Sequence, residues 1–266
     1  MGQSQTIKPI AMEKTIGLDI GGTKITGIVW DGKDIVRELT IVTPRTLFEF
    51  RHNLGKLVNF LKGKDKISRL GIGMAGSIDA KRKVALSSPN IRYIQNFSFP
   101  ANFKEYGFKK IFTDNDASCF LRAEMALGQT KGLKNVVGLI FGTGVGGALY
   151  LDGKFYRGSG NLGGEIGRIP MTETTNWEQE YQKYRDARNF DKLSKLTARG
   201  LYVLVKIFNP EAFVLSGSVA AKEHAKFLPA AKKELKRLLA EKQPVPEIFV
   251  SKLNHVGAVG AAILIK

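Results

Sequence analysis

Cysteine and histidine are scarce in this chain of 266 residues, which contains one cysteine, Cys119, and three histidines. A single cysteine cannot form an internal disulfide and rules out a multi-cysteine metal site, which favours a reducing compartment. Long apolar runs are also missing, and residues 1–14 lack the apolar core of a signal peptide. We therefore expect a cytoplasmic protein with no membrane partner.

Acidic residues are fewer than basic ones: 24 Asp and Glu against 41 Lys and Arg give a formal net charge of +17. An excess of this size can indicate nucleic-acid binding. One of the two densest basic segments, 222–242, instead predicts an amphipathic helix whose charged side carries both signs. Its apolar side consists of Leu228, Leu235, Leu238 and Leu239. Because the chain has no Cys/His finger or basic zipper, we do not expect a nucleic-acid partner.

One pattern of strands and turns occurs twice, about half the chain apart. Each copy consists of a strand, a glycine-rich turn, a return strand, an Asp-Gly turn and a third strand. The first copy spans 15–42 and the second spans 135–156. A chain of this length has room for two modest domains, so the repetition predicts two related domains that face one another.

The remaining patterns predict helices and strands around these two copies. Helices are expected at 46–61, 116–128 and 256–265, and in the basic segment 222–242. A further helix is expected to end near Phe208. One strand is expected to begin at Leu70 and to run into a loop that reaches Gly76. Further strands are expected at 109–113, 212–215 and 248–250. The polar stretch 171–189 is assigned no regular element.

The two glycine-rich turns have the composition of phosphate-binding loops. Glycines permit positive φ and a close approach of the backbone, and successive N–H groups in such a turn form an anion-binding concavity. Asp19, directly before the first turn, could hold hydrated Mg²⁺ beside the phosphates. Either turn alone could equally be an ordinary hairpin connection. The pair, one per domain, favours phosphates clamped in a cleft for phosphoryl transfer.

Asp116 is the candidate general base. A carboxylate at a helix start is favoured in its charged form by the helix dipole, and it could accept the proton of an attacking alcohol. The alternative is that Asp116 merely caps the helix. Three adjacent polar residues, Asp114, Asn115 and Asp116, exceed what a cap requires and favour a site.

These motifs resemble those of the ROK family of sugar kinases, in the actin-like ATPase superfamily, and they occur in family order from about Lys14 to the C-terminus. The matching segments are Asp19–Lys24 and Gly142–Gly146 for the two phosphate motifs, Gly73–Asp79 and Ser88–Asn90 on the sugar side, Asn115–Ala117 for the sugar-binding Asn and catalytic Asp, Gly163–Gly167 for the Gly-Glu-x-Gly element, and Asn209–Ser218 on the adenosine side.

The resemblance implies an α/β fold of two actin-like (ribonuclease H-like) domains, with mixed sheets flanked by helices and a central cleft. The expected N-terminal domain comprises 14–115 with a C-terminal helix at about 254–266, and the second domain comprises 116–253. The implied activity is ATP-dependent phosphorylation of a glucose-like hexose, normally at carbon six. The partners would be the hexose and ATP with Mg²⁺, and a homodimer is a further expectation.

The resemblance also assigns roles to individual residues. Asp116 would be the base, and Asp19 would lie near Mg²⁺. The sugar would be held by Gly76, Asn90, Asn115 and Glu165. The nucleotide would be held by Gly21, Gly22, Thr23, Lys24, Gly142, Thr143, Gly144, Gly217 and Ser218.

The chain departs from the family pattern after Gly167. Arg168 stands where family members usually have a His that binds both the sugar and a structural zinc, and the cysteine cluster downstream is missing. We therefore expect no zinc. Arg168 could pair with Glu165, meet an anionic substrate or reshape hydroxyl recognition, and Glu178 could serve as a second sugar-binding carboxylate.

Two other functions remain open. A kinase that uses polyphosphate as donor would suit a basic cleft. A non-catalytic sugar-binding regulator would suit the sugar-side motifs, but only about thirteen residues precede the first strand, too few for a helix-turn-helix module.

Overall fold

The computed structural model describes residues 13–239 and 243–264, so predictions for 1–12, for 240–242 and for 265–266 lie outside the described residues. The strands are β1 Thr15–Ile20, β2 Lys24–Trp30, β3 Ile35–Val42, β4 Arg69–Met74, β5 Ser77–Asp79, β6 Val84–Ser87, β7 Gln95–Ser98, β8 Lys110–Asn115, β9 Val136–Phe141, β10 Val145–Leu151, β11 Lys154–Tyr156, β12 Ala212–Ser216 and β13 Glu247–Val250. The helices are α1 Leu47–Lys62, α2 Phe99–Asn102, α3 Asp116–Leu127, α4 Trp177–Asp186, α5 Phe190–Phe208, α6 Ser218–Leu239 and α7 Val256–Ala262.

Two five-stranded sheets repeat one strand order. The first has the order β3-β2-β1-β4-β8, and the second has the order β11-β10-β9-β12-β13. In each sheet the central strand pairs antiparallel with the strand that follows it and parallel with the strand on its other side. The predicted duplication is therefore confirmed at the level of topology.

Each sheet has its own apolar core, because its strands bury side chains against its own helices. Behind the first sheet, Leu18 and Ile72 pack with Phe50 of α1. Behind the second, Phe141 and Phe213 pack with Phe227 of α6. The predicted apolar side of the basic helix is also confirmed, since Leu228, Leu235 and Leu239 are buried and Leu238 packs against them.

Several elements in the regions 77–102 and 171–189 differ from the sequence-based expectation. The strands β5, β6 and β7 form a small third sheet in the loop region 77–98, and their three or four residues are too few to show an alternating pattern. The assignment of no regular element to 171–189 is wrong, because α4 lies inside it. Asn176 and Gln179 form a reciprocal capping box at the start of α4, a signal readable from the sequence spacing.

The helices α3 and α7 lie between the two sheets and touch each other closely. A Cβ atom on Gly260 of α7 would collide with the backbone of Cys119 in α3, so only glycine permits this approach. On its other side α7 lies against β1, where a Cβ on Gly17 would be 2.9 Å from the Ala262 backbone nitrogen. The domain boundaries at 115/116 and 253/254 stay a prediction.

Within the described ranges, no helix combines the length and the apolar content that crossing a membrane requires.

Candidate active site

A cavity of about 280 Å³ is lined by loops that follow strands of both large sheets. Most of the predicted site residues line it: Gly21, Gly22, Gly76, Asn90, Asn115, Asp116, Gly142, Thr143, Gly144, Glu165, Arg168 and Glu178. The cavity therefore brings both glycine-rich turns together with the candidate base and the sugar-side loops.

Five predicted residues lie outside this lining. Thr23 and Lys24 continue the first turn and are exposed, and the Thr23 carbonyl accepts a hydrogen bond from the Thr43 N–H at 3.0 Å. Asp19 lies in β1 next to α7, where a Cβ on Gly257 would be 2.5 Å from the carboxylate. Gly217 and Ser218 follow β12, and a Cβ on Gly217 would be 2.6 Å from the Phe141 carbonyl carbon.

The first glycine-rich turn is fixed by its neighbours. The Gly21 N–H donates to the Lys24 carbonyl at 3.0 Å, and the Thr43 hydroxyl donates to the Gly21 carbonyl at 2.7 Å. A Cβ on Gly22 would be 2.5 Å from Cβ of Asn90, so the turn approaches the predicted sugar side as closely as glycine allows.

Asn115, and not Asp116, caps α3. The Asn115 Oδ1 accepts from the Ala117 N–H at 2.9 Å, and its Nδ2 donates to the Gly76 carbonyl at 3.3 Å. Asp116 is the first helical residue, and its Oδ1 also accepts from the Ala117 N–H at 2.9 Å. Because the neighbouring Asn supplies the cap, the Asp116 carboxylate is available to the cavity that it lines.

Two carboxylates at the site have raised pKa values. Burial raises the pKa of Asp116 from its usual 3.8 to about 6, the Ala117 N–H opposes this, and the charge of Glu165 adds to it. Burial also raises the pKa of Asp19 to about 7, the Asp116 charge adds to it, and the Lys24 charge opposes it. The charge of Asp116 thus disfavours the ionised form of Asp19.

Asp19 supplies a single carboxylate, which suits a hydrated Mg²⁺ beside phosphates but is too few ligands for a structural zinc. Carboxylate oxygens are the ligands that Mg²⁺ prefers, and a divalent cation beside Asp19 would relieve its repulsion from Asp116. A structural zinc needs about four Cys or His ligands, or carboxylates in their place. Among the described residues no group of three His, Cys, Asp or Glu side chains could hold a metal ion.

Arg168 pairs with Glu178, which corrects the alternative of a pair with Glu165. The Arg168 Nη1 lies 3.8 Å from Glu178 Oε1, and the Arg168 side chain is 58% exposed. The other oxygen, Glu178 Oε2, accepts from the Val145 N–H at 3.0 Å. Glu178 therefore contacts the second glycine-rich turn directly, while Arg168 lies at the edge of the cavity.

Sequence reasoning missed Arg157, which also lines the cavity. Its guanidinium donates two hydrogen bonds to Asp114, whose side chain is 4% exposed. Arg157 belongs to no motif that we recognised. The usable signal was Asp114 itself, because a buried carboxylate near the end of a strand requires a partner for its charge.

The chain matches the family model described as "ROK family" over residues 15–183 and 177–266. The glucokinase of Thermotoga maritima is 25% identical over 95% of this chain and 97% of that protein. The N-acetyl-D-glucosamine kinase of Mannheimia succiniciproducens is 31% identical over 58% of this chain and 52% of that protein.

Solved structures match the whole architecture. The ROK family glucokinase of Streptomyces griseus in complex with glucose and AMPPNP has a TM-score of 0.82 at 24% identity, over 94% of this chain and 98% of that chain. The inorganic polyphosphate/ATP-glucomannokinase of Arthrobacter sp. strain KM has a TM-score of 0.76 at 26% identity, over 95% and 98%. These matches confirm the predicted fold class, and with the family match over residues 15–266 they establish that the chain belongs to the ROK family.

Proposed function

We propose that this member of the ROK family is a sugar kinase that transfers the γ-phosphoryl group of ATP to a hydroxyl of a glucose-like hexose, at carbon six. The observation that carries the proposal is the position of Asp116, a carboxylate with a pKa of about 6, in one cavity with both glycine-rich turns. A base with a pKa slightly below neutrality is ionised at neutral pH and still accepts a proton efficiently.

On the sugar side, Asp116 accepts the proton of the attacking hydroxyl as the oxygen bonds to phosphorus. Asn90, Asn115, Glu165 and the Gly76 backbone hold the other hydroxyls, with Arg168 and Glu178 at the edge of the pocket. The contact of Asn115 with Gly76 supports this assignment, since it ties two of these groups together beside the base. A polar pocket discriminates between sugars because an unmatched hydroxyl leaves protein groups unpaired.

On the nucleotide side, the first glycine-rich turn, with Gly21, Gly22 and Thr23, faces one side of the phosphates through the N–H groups of Gly22 and Thr23, with Lys24 nearby. Gly142, Thr143 and Gly144 face the other side, and Gly217 and Ser218 lie by the adenosine. Mg²⁺ near Asp19 would neutralise charge on the phosphates when bound. Closure of the two proposed domains, 14–115 with 254–266 and 116–253, would exclude water that competes for the phosphoryl group.

Replacement of the base tests the proposal. Asp116→Asn keeps the shape of the side chain but cannot accept the proton, so we expect kcat to fall by about 10² to 10⁴ while sugar binding is retained. A coupled assay across hexoses, amino sugars and N-acetyl sugars measures turnover, and calorimetry measures sugar binding. Substantial residual turnover in the variant would overturn the role of Asp116.

A second candidate is a hexose kinase that uses polyphosphate. The net charge of +17 and the similarity to the Arthrobacter glucomannokinase favour it. Assays with ATP and polyphosphate in parallel distinguish the two donors. If no sugar is phosphorylated with either donor, the sugar-binding regulator is favoured instead. The presence of Asp116 and of both glycine-rich turns argues against that function.

A further inference from the structure

One face of α4 holds the backbone of the second glycine-rich turn. The Tyr181 hydroxyl donates to the Gly142 carbonyl at 2.9 Å, and Gln182 Nε2 donates to the Thr143 carbonyl at 3.3 Å. The Arg185 guanidinium donates to both carbonyls, at 3.0 Å to Gly142. One turn earlier on the helix, Glu178 accepts from the Val145 N–H.

These bonds orient the turn. In a trans peptide the C=O and the following N–H point in opposite directions. Carbonyls of Gly142 and Thr143 that are bound to α4 therefore direct the N–H groups of Thr143 and Gly144 away from the helix. Those are the groups proposed above to face the phosphates. The position of α4 thus decides whether the turn presents donors to a nucleotide.

The start of α4 is anchored by the segment 171–180, which we call the brace. The Thr172 hydroxyl accepts from the Thr175 N–H at 2.9 Å, and the hydroxyls of Thr172 and Thr175 lie 2.6 Å apart. The Thr175 hydroxyl also lies 3.0 Å from Glu180 Oε1, to which it donates. Asn176 and Gln179 complete the brace with their reciprocal cap, at 2.9 Å in each direction.

The brace is also fixed to the core of the second sheet. Met171 is 2% exposed, and Trp177 is fully buried. A Cβ on Gly200 of α5 would collide with the indole ring, so Trp177 lies directly on the α5 backbone. Met171 and Trp177 are therefore held by packing, and Thr172, Thr175 and Asn176 between them are held by hydrogen bonds.

The family resemblance leads one to expect a structural zinc site at this point of the chain. The brace has no Cys or His, and the hydroxyls of Thr172 and Thr175 and the carboxylate of Glu180 already bond to one another. We infer that the brace replaces the metal: it fixes α4 without zinc, and Tyr181 and Arg185 act as positioning residues that orient the second glycine-rich turn for a nucleotide. The nucleotide part of this inference rests on the proposed function.

Metal analysis tests the first half of the inference. The full chain is purified with Mg²⁺ present, its zinc content is measured, and thermal unfolding is followed before and after treatment with a zinc-selective chelator. We expect far less than one zinc ion per chain, and a melting temperature that the chelator does not change. Stoichiometric zinc whose removal lowers the melting temperature would overturn the inference.

Two variants test the second half, with binding of non-hydrolysable MgATP analogue as the readout. Thr175→Val removes the hydroxyl at the centre of the brace, and Thr174→Val is its control because Thr174 is exposed and adjacent. Tyr181→Phe removes only the hydroxyl that binds Gly142, and Tyr202→Phe on α5 is its control. We expect Thr175→Val and Tyr181→Phe to weaken analogue binding about fivefold, the equivalent of one hydrogen bond, with glucose binding nearly unchanged.

The outcomes distinguish the positioning role of the brace, Tyr181 and Arg185 from the proposed kinase activity. Analogue binding that equals wild type in both variants, or equal weakening in the controls, would overturn the positioning role. Weakening confined to the two test variants supports it even if wild type phosphorylates no sugar, and that result would overturn only the proposed function.

Discussion

Arg157 and Asp114 form a two-point ion pair across the cavity, with Nη1 2.8 Å from Oδ1 and Nη2 2.5 Å from Oδ2. Asp114 belongs to β8 at the edge of the first sheet, and Arg157 follows β11 at the edge of the second. A second cation, Arg122, lies 3.8 Å from the same carboxylate. The ion pair therefore connects the two sheets, and Asp114 lies two residues before Asp116 in the chain.

Arg157→Ala should destabilise the protein by about 3 kcal/mol, because it leaves a buried carboxylate with only the more distant Arg122. Chemical denaturation measures the loss. Arg82→Ala is the matched control, since Arg82 pairs with Asp79 on the surface and its loss should change little. Equal midpoints for the two variants would show that the buried pair adds no stability.

The raised pKa of Asp116 predicts a pH-dependent stability. Because its pKa rises from 3.8 to about 6 on folding, the folded chain holds this proton more tightly and loses stability as pH rises between these values. Asp116→Asn removes this cost, so it should be more stable than wild type above pH 6, by on the order of 3 kcal/mol, and equal to it near pH 3. Melting curves at several pH values check the window, and a constant difference at all pH values would contradict it.

The same pKa predicts the pH dependence of turnover. A base must be ionised to accept a proton, so kcat/KM should rise with pH through an apparent pKa of about 6. Asp19 interacts with Asp116, so the measured value belongs to the coupled pair. A rate that is flat between pH 5 and pH 7 would argue against Asp116 as the base.

Gly217→Ala should weaken nucleotide binding and lower stability. Gly217 has φ +95, and a Cβ there would be 2.6 Å from the Phe141 carbonyl carbon, directly before the second glycine-rich turn. Gly153→Ala is the control, because Gly153 also has positive φ (+75) but open space around it. The difference between the two variants isolates the collision from the backbone strain, and no difference would show that the close approach is unimportant.

Arg168→His should not create a zinc site. A lone imidazole has no further ligands here, since the segment after Gly167 contains no Cys or His until His224. Because Arg168 is mostly exposed and 3.8 Å from Glu178, we expect a changed KM for the sugar and little change in melting temperature. Zinc taken up in stoichiometric amount by the variant would refute the expectation.

The two sheets and most of the cavity follow from local sequence patterns. The strands of each repeat, the two glycine-rich turns and Asn115-Asp116 are local features, because turn chemistry and side-chain periodicity are set by neighbouring residues. The turns and Asn115-Asp116 meet in the cavity as expected. The helix α4 was also readable in principle, from the Asn176 and Gln179 spacing, but the polar composition around it concealed it.

Which charged groups face each other depends instead on how the distant parts of the chain pack together. Arg157 meets Asp114 from 43 residues away, and Glu178 meets Val145 from 33 residues away, distances over which no sequence pattern specifies a partner. The choice of Glu178 over Glu165 for Arg168 likewise depends on where α4 comes to lie. Such pairs form when packing of the two sheets brings their loops together, so the position of Asp116, the proposed base, was readable from the sequence, but its surroundings were not.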